Sequence, residues 1–171
     1  EGAYRAKHFN GDPTTALRYS VSLVIEKGSD NDKLIRSVIK EKATEKWKDK
    51  AQAMLQSLGK DLCYTDGDLA KQECFHGKMR LGANRGKDQG RPILLDKNKL
   101  PAAEGRIYSG CFVNAKVDIW VQVKGMTGVR CTLIGLQFTE DGDAFGGGGP
   151  ATDSGFETEE ETTSETENSG W

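Results

Sequence analysis

Residues 107–124 read IYSGCFVNAKVDIWVQVK, and they decide the fold. Cys111, Val113, Ala115, Val117, Ile119, Val121 and Val123 fall on one face of an extended chain. Phe112, Asn114, Lys116, Asp118, Trp120, Gln122 and Lys124 fall on the other. Side chains of a strand alternate sides, so this period of two predicts a long β-strand. Gly125-Met126-Thr127-Gly128 supplies a hairpin turn, and residues 129–138 return as a second strand.

Working outward, residues 18–26 (RYSVSLVIE) also alternate, with Tyr19, Val21, Leu23 and Ile25 on one side. The clearest helix follows, over residues 32–58. Ser29, Asp30 and Asp32 offer capping oxygens and suit the helix dipole. Leu34, Ile35, Val38, Ile39, Trp47, Ala51, Met54, Leu55 and Leu58 recur at helical steps, and Gly59 is placed to end it. The lysines between them are mixed with Glu41, Glu45 and Asp49, which reads as a solvated face. Residues 62–106 are broken by glycines, with short strands expected at 74–83 and 91–95. These elements predict a mainly β fold with one long α-helix.

Charge is divided sharply along the chain. All 24 Lys and Arg residues lie at or before Arg130, and ten acids follow with no base among them. A basic body with an acidic tail implies a polyanion-binding domain that carries its own competitor. Residues 1–145 form the expected domain. Residues 146–171, opening on four glycines and Pro150, read as a flexible linker and an acidic tail too polar to fold. No apolar run approaches the ~20 residues that span a bilayer, so no membrane partner is expected.

Two groups of residues carry the expected chemistry. Lys78, Arg80, Arg85, Lys87 and Arg91 lie among glycines and read as a mobile basic loop that neutralises phosphates. Phe112, Lys116 and Trp120 share one strand face, interleaving rings with a cation as single-stranded nucleic acid requires. Trp120 reads equally as a stacking platform or as part of a small second core; for Phe112 the core fits better. Tyr19, Tyr64 and Tyr108 are reserve stacking candidates. In the tail, Glu159, Glu160, Glu161, Glu165 and Glu167 precede Trp171, a ring beside a free carboxylate that suits partner recognition.

Enzyme readings are weak. The Cys74-Phe75-His76 step lacks a second pair of zinc ligands. Asp66 and Asp68 in YTDGD lack the later Glu of a calcium loop, and no phosphate-binding G-x-x-x-x-G-K-[ST] occurs. Asp12, Asp61, Asp66, Asp68, Asp96 and Asp118 leave a metal-dependent nuclease as a remote alternative. No catalytic residue, metal or cofactor is expected.

The chain resembles a family of tailed-bacteriophage single-stranded DNA-binding proteins. The resemblance covers most of 17–145. It rests on YSVSLVIEKGSDNDKL, Gly67-Asp68, RPILLD at 91–96, IYSGCFVNAKVDIW at 107–120 and GVRCTLIGLQFTEDGDAF at 128–145. It implies a five-stranded OB-fold barrel with the helix packed on it, and a strand before Arg18 for which residues 4–9 are available. It further implies sequence-independent single-stranded DNA binding in phage replication or recombination, in the cytoplasm of an infected bacterium. Phage or host replication and recombination proteins are the expected tail partners, and a homodimer is possible. A tail-mediated adaptor with weak DNA binding is the alternative.

Overall fold

The computed structural model describes residues 2–145. The tail, with Glu159, Glu160, Glu161, Glu165, Glu167 and Trp171, lies outside them. Six strands and two helices run in the order β1 (Arg18–Glu26), α1 (Asp30–Trp47), α2 (Ala51–Leu58), β2 (Tyr64–Asp66), β3 (Lys78–Gly86), β4 (Ile93–Leu95), β5 (Phe112–Gln122) and β6 (Gly128–Glu140).

The fold is mainly β with a long helical segment, as expected, but the sheet has six strands and does not close on itself. Its path is β1-β3-β6-β4, with β2 added to β3 and β5 to β6. β1 and β3 pair antiparallel over their full length, from Arg18↔Gly86 to Glu26↔Lys78. β3 and β6 touch in parallel only at Asn84↔Thr132 and then splay apart. The chain entering β2 fills the gap: Cys63 N–H donates to the Val129 carbonyl (2.9 Å) and Gly82 N–H to the Cys63 carbonyl (2.8 Å). β1, at one end of this path, and β5, off it on β6, each keep a free edge, and α1 packs against both. Among the described residues no strand precedes β1. Lys7 makes a single bridge to Arg18, and Ser20 N–H reaches the Gly2 carbonyl.

The expected single helix is broken. A straight helix of 27 residues would run ~40 Å, longer than a small domain is wide. The chain instead bends through a 3₁₀ turn at Lys48–Lys50, with Lys48 at φ +52°. The bend brings Leu55 and Leu58 of α2 onto the same core as Ile35, Val38 and Ile39 of α1. Leu34, counted in the apolar stripe, stays exposed. Ser29 caps α1 as expected, accepting from Asp32 N–H.

The core forms between the inner faces of β3, β5 and β6, where Leu81, Val129, Leu133 and Phe138 are fully buried. β5 begins at Phe112, five residues later than the alternation indicated. Gly110 turns the chain at φ +113°, where a Cβ would lie 2.0 Å from the Asp143 carbonyl oxygen. Two register shifts against β6, at Phe112/Val113 and Lys116/Val117, bend the hairpin.

Candidate nucleic-acid interface

The register places five β5 side chains in cross-strand pairs on the outer face. Phe112, Asn114, Lys116, Asp118 and Trp120 stand opposite Glu140, Gln137, Gly135, Thr132 and Arg130. Both rings of this face are accessible, Trp120 at 41% and Phe112 at 60%. A core role for Phe112 is therefore overturned: the bulge at Phe112/Val113 leaves it at the sheet end against the Gly142 backbone.

Local contacts hold this face in shape. The Trp120 indole N–H donates to Thr132 Oγ1 (3.0 Å), fixing one edge of the ring. Arg130, its cross-strand neighbour, is held by Gln122 Oε1 (3.3 Å) and the Met126 carbonyl (3.2 Å). Lys116 faces Gly135, which has no side chain, and makes no ion pair among the described residues. Gly135 in turn pairs with Ile93 of β4, an exposed apolar side chain. Lys116, Gly135 and Ile93 thus form a row across three strands, a cation and an apolar side chain flanking a bare backbone.

The basic segment 78–91 is not a mobile loop. Most of it is β3, inside the sheet, because Met79, Leu81 and Ala83 are apolar at alternate positions and face the core. Its glycines punctuate less than their number implies; Gly82 sits in the ladder opposite Ser22. The five bases consequently diverge. Lys78 pairs with Glu26. Arg80 points outward, donating to Ser22 Oγ (3.1 Å) with its guanidinium 5.5 Å from the Phe75 ring centre. Arg85 holds the turn after β3 through the carbonyls of Gly90 (2.9 Å) and Gln89 (2.7 Å). Lys87 lies in that turn, and Arg91 sits over the Tyr4 ring at 5.7 Å.

The reserve tyrosines have other work. Tyr64 is buried at 6% and donates to Asp32 Oδ1 (2.8 Å). Burial first, then Asp32, holds its phenol protonated far above its ordinary range. Tyr108 clasps Asp141 and Gly142, and Tyr19 turns inward opposite Arg85. The aspartates of YTDGD embrace the Lys27 ammonium, at 2.8 Å from Asp66 and 2.7 Å from Asp68. The Gly77 N–H, then Lys27, lowers the Asp68 carboxyl to about 2. Among the described residues, no three His, Cys, Asp or Glu side chains come together.

Arg130 and Thr132 on β6 and Ile93 on β4 escaped the sequence reading as outward residues, and the reading left to a solvated helix face Lys42 and Lys46 on α1. The last two join Glu45, Asp118 and Trp120 around a cleft of about 330 Å³ where α1 meets β5. The alternation of 129–138 would have exposed the β6 pair. Ile93 carries no local signal, because its position depends on a parallel pairing with a distant strand.

Comparison with known proteins gives a consistent picture. A family model described as the ssDNA-binding protein of Enterobacter phage Enc34 matches residues 2–167. Putative protein p50 of Acyrthosiphon pisum secondary endosymbiont phage 1 is 35% identical over 144 residues, 80% of this chain and 77% of that protein. Among solved structures, the single-stranded DNA-binding protein from bacteriophage Enc34 in complex with ssDNA has a TM-score of 0.66 at 20% identity, covering 83% of this chain and 85% of that one. The single-stranded DNA-binding protein gp2.5 of bacteriophage T7 has a TM-score of 0.52 at 14% identity, covering 91% and 93%. These structural likenesses establish the fold.

Proposed function

This chain belongs to the phage Enc34 single-stranded DNA-binding protein family, and from that premise we propose that it binds single-stranded DNA across the outer face of β5 and β6. The observation that carries the proposal is the exposed Trp120 ring, fixed by Thr132, on the same face as the unpaired Lys116. Bases stack on the ring while Lys116 neutralises a phosphate. Neither contact reads sequence, so binding tolerates any base at most positions. Phe112, on the same face of β5, and Arg80, outward on β3, extend the track. Lys87 and Arg91 add long-range attraction, and Lys78 and Arg85 act mainly through the sheet and turn they hold.

The protein acts without catalysis, coating and protecting single strands during phage replication or recombination in the infected cell. Residues 146–171 compete for the same face through Glu159, Glu160, Glu161, Glu165 and Glu167. Once DNA displaces them, Trp171 recruits replication proteins. The Gly linker keeps this competitor at high local concentration.

Anisotropy titration of labelled dT oligomers, with the full chain and a chain ending at Phe145, tests this reading. Salt-sensitive binding that tightens without the tail is the expected result. Absence of binding by both proteins would favour the adaptor reading.

A further inference from the structure

Asp118 is out of place on a face that meets phosphates. It stands between Lys116 and Trp120 at alternate positions of β5, opposite Thr132, and it is exposed. Among the described residues it forms no ion pair and no side-chain hydrogen bond. A carboxylate there repels any phosphate brought over it. The DNA group that meets Asp118 must therefore be something other than the backbone.

The neighbouring cleft shows what that group is. It is lined by Asp118, Ile119, Trp120 and Val121 of β5 on one side, and by Lys42, Glu45 and Lys46 of α1 on the other. Its volume, about 330 Å³, is at the lower end of small-molecule pockets (~300–1,000 Å³), room for one nucleotide but not for a duplex. Lys42 leans on Glu45 (3.5 Å), whereas Lys46 has no partner among the described residues. The cleft therefore presents a stacking ring, a free carboxylate beside it and a free ammonium across from it. This set matches the parts of one nucleotide: base face, base edge and flanking phosphate.

Resting on the DNA-binding reading above, we infer that this cleft seats a single nucleotide stacked on Trp120, and that Asp118 makes the seat selective for bases with an exocyclic amino group. An ionised carboxylate only accepts hydrogen bonds. It accepts well from cytosine N4, adenine N6 or guanine N2, and Asp to cytosine N4 is an established pairing chemistry. Thymine and uracil offer one ring N–H between two carbonyl oxygens, which face the carboxylate unfavourably. Lys46 takes the phosphate next to the seated base. The protein thus tolerates all sequences and favours amino-bearing bases at one position.

The test uses the full-length protein with labelled dC and dU oligomers of about 16 nucleotides, the upper end of an OB-fold site. Cytosine and uracil differ only in the amino group and its tautomeric consequence, so stacking and methyl effects are removed. Wild type should bind dC roughly 5- to 10-fold more tightly than dU. Asp118→Asn should bring that ratio close to one with an unchanged salt slope, because an amide both donates and accepts. Lys46→Ala should weaken both oligomers equally and reduce the salt slope by about 0.7. Equal affinities in wild type would overturn the selective seat. So would Asp118→Asn tightening both oligomers by the same factor with a steeper slope, which marks simple phosphate repulsion. Failure to bind either oligomer would instead overturn the DNA-binding reading itself.

Discussion

Thr132 sets what Trp120 offers: by taking the indole N–H it fixes one edge of a ring that the strand leaves exposed. Trp120→Ala should weaken single-stranded DNA binding by about 1–3 kcal/mol, the usual worth of a stacked base. Its thermal midpoint should change little, because the ring lies on the outside of the sheet. Lys116→Ala should instead lower the salt slope of binding by about 0.7, one phosphate contact. Parallel titrations at several salt concentrations separate the two effects. Asp68 gives a prediction about pH. Its folded carboxyl titrates at about 2, below the ordinary 3.8. Its stabilisation is therefore present above pH 3.8 and lost as pH falls towards 2. Thermal melts should show Asp68→Asn less stable than wild type at neutral pH, with the difference vanishing near pH 2.

The elements differ in how openly the sequence declares them. β1 and β5 are legible because their inner and outer faces alternate within one short stretch, and the antiparallel β5–β6 hairpin closes through a local turn. β3 is legible only in part: Met79, Leu81 and Ala83 alternate, but the intervening bases and glycines mimic a loop. β4 falls inside the strand expected at 91–95, but its partner β6 and the splayed contact of β3 with β6 leave no local pattern, because parallel pairing joins distant residues. The helix break has no proline or glycine at the bend to announce it; Lys48 itself takes the positive φ. Gly135 shows how such long-range pairing is enforced. A Cβ there would lie 2.7 Å from the Ile93 carbonyl oxygen, so Gly135→Ala should displace β4 and cost about 1–3 kcal/mol in urea unfolding. The α1–β2 junction is held by Asp32, which accepts from Gly28 N–H, Arg36 Nε and the Tyr64 hydroxyl. Tyr64→Phe should destabilise by about 1–2 kcal/mol in the same assay. DNA affinity should not change, since this ring is buried away from the candidate interface.

At the scale of the molecule, the sequence declared the charge division and half of the candidate interface. Lys116 and Trp120 were visible as neighbours on one strand. Arg130, Ile93 and Lys46 were not, because three separate elements must assemble before they share a surface. The basic cluster at 78–91 was visible as composition, but pairing with β1 and β2 sends its side chains in different directions. The candidate interface is thus built by the sheet rather than by a loop. The open edge between β1 and β5 is covered by α1, whose lysines then border the outer face. The central claim, that DNA lies across β5 and β6, is tested most directly by anisotropy titration of labelled dT oligomers with the Trp120→Ala, Lys116→Ala double variant. The account predicts a loss of at least tenfold in affinity and a shallower salt dependence, with unfolding unchanged. Wild-type affinity and slope in that variant would place the DNA elsewhere and contradict it.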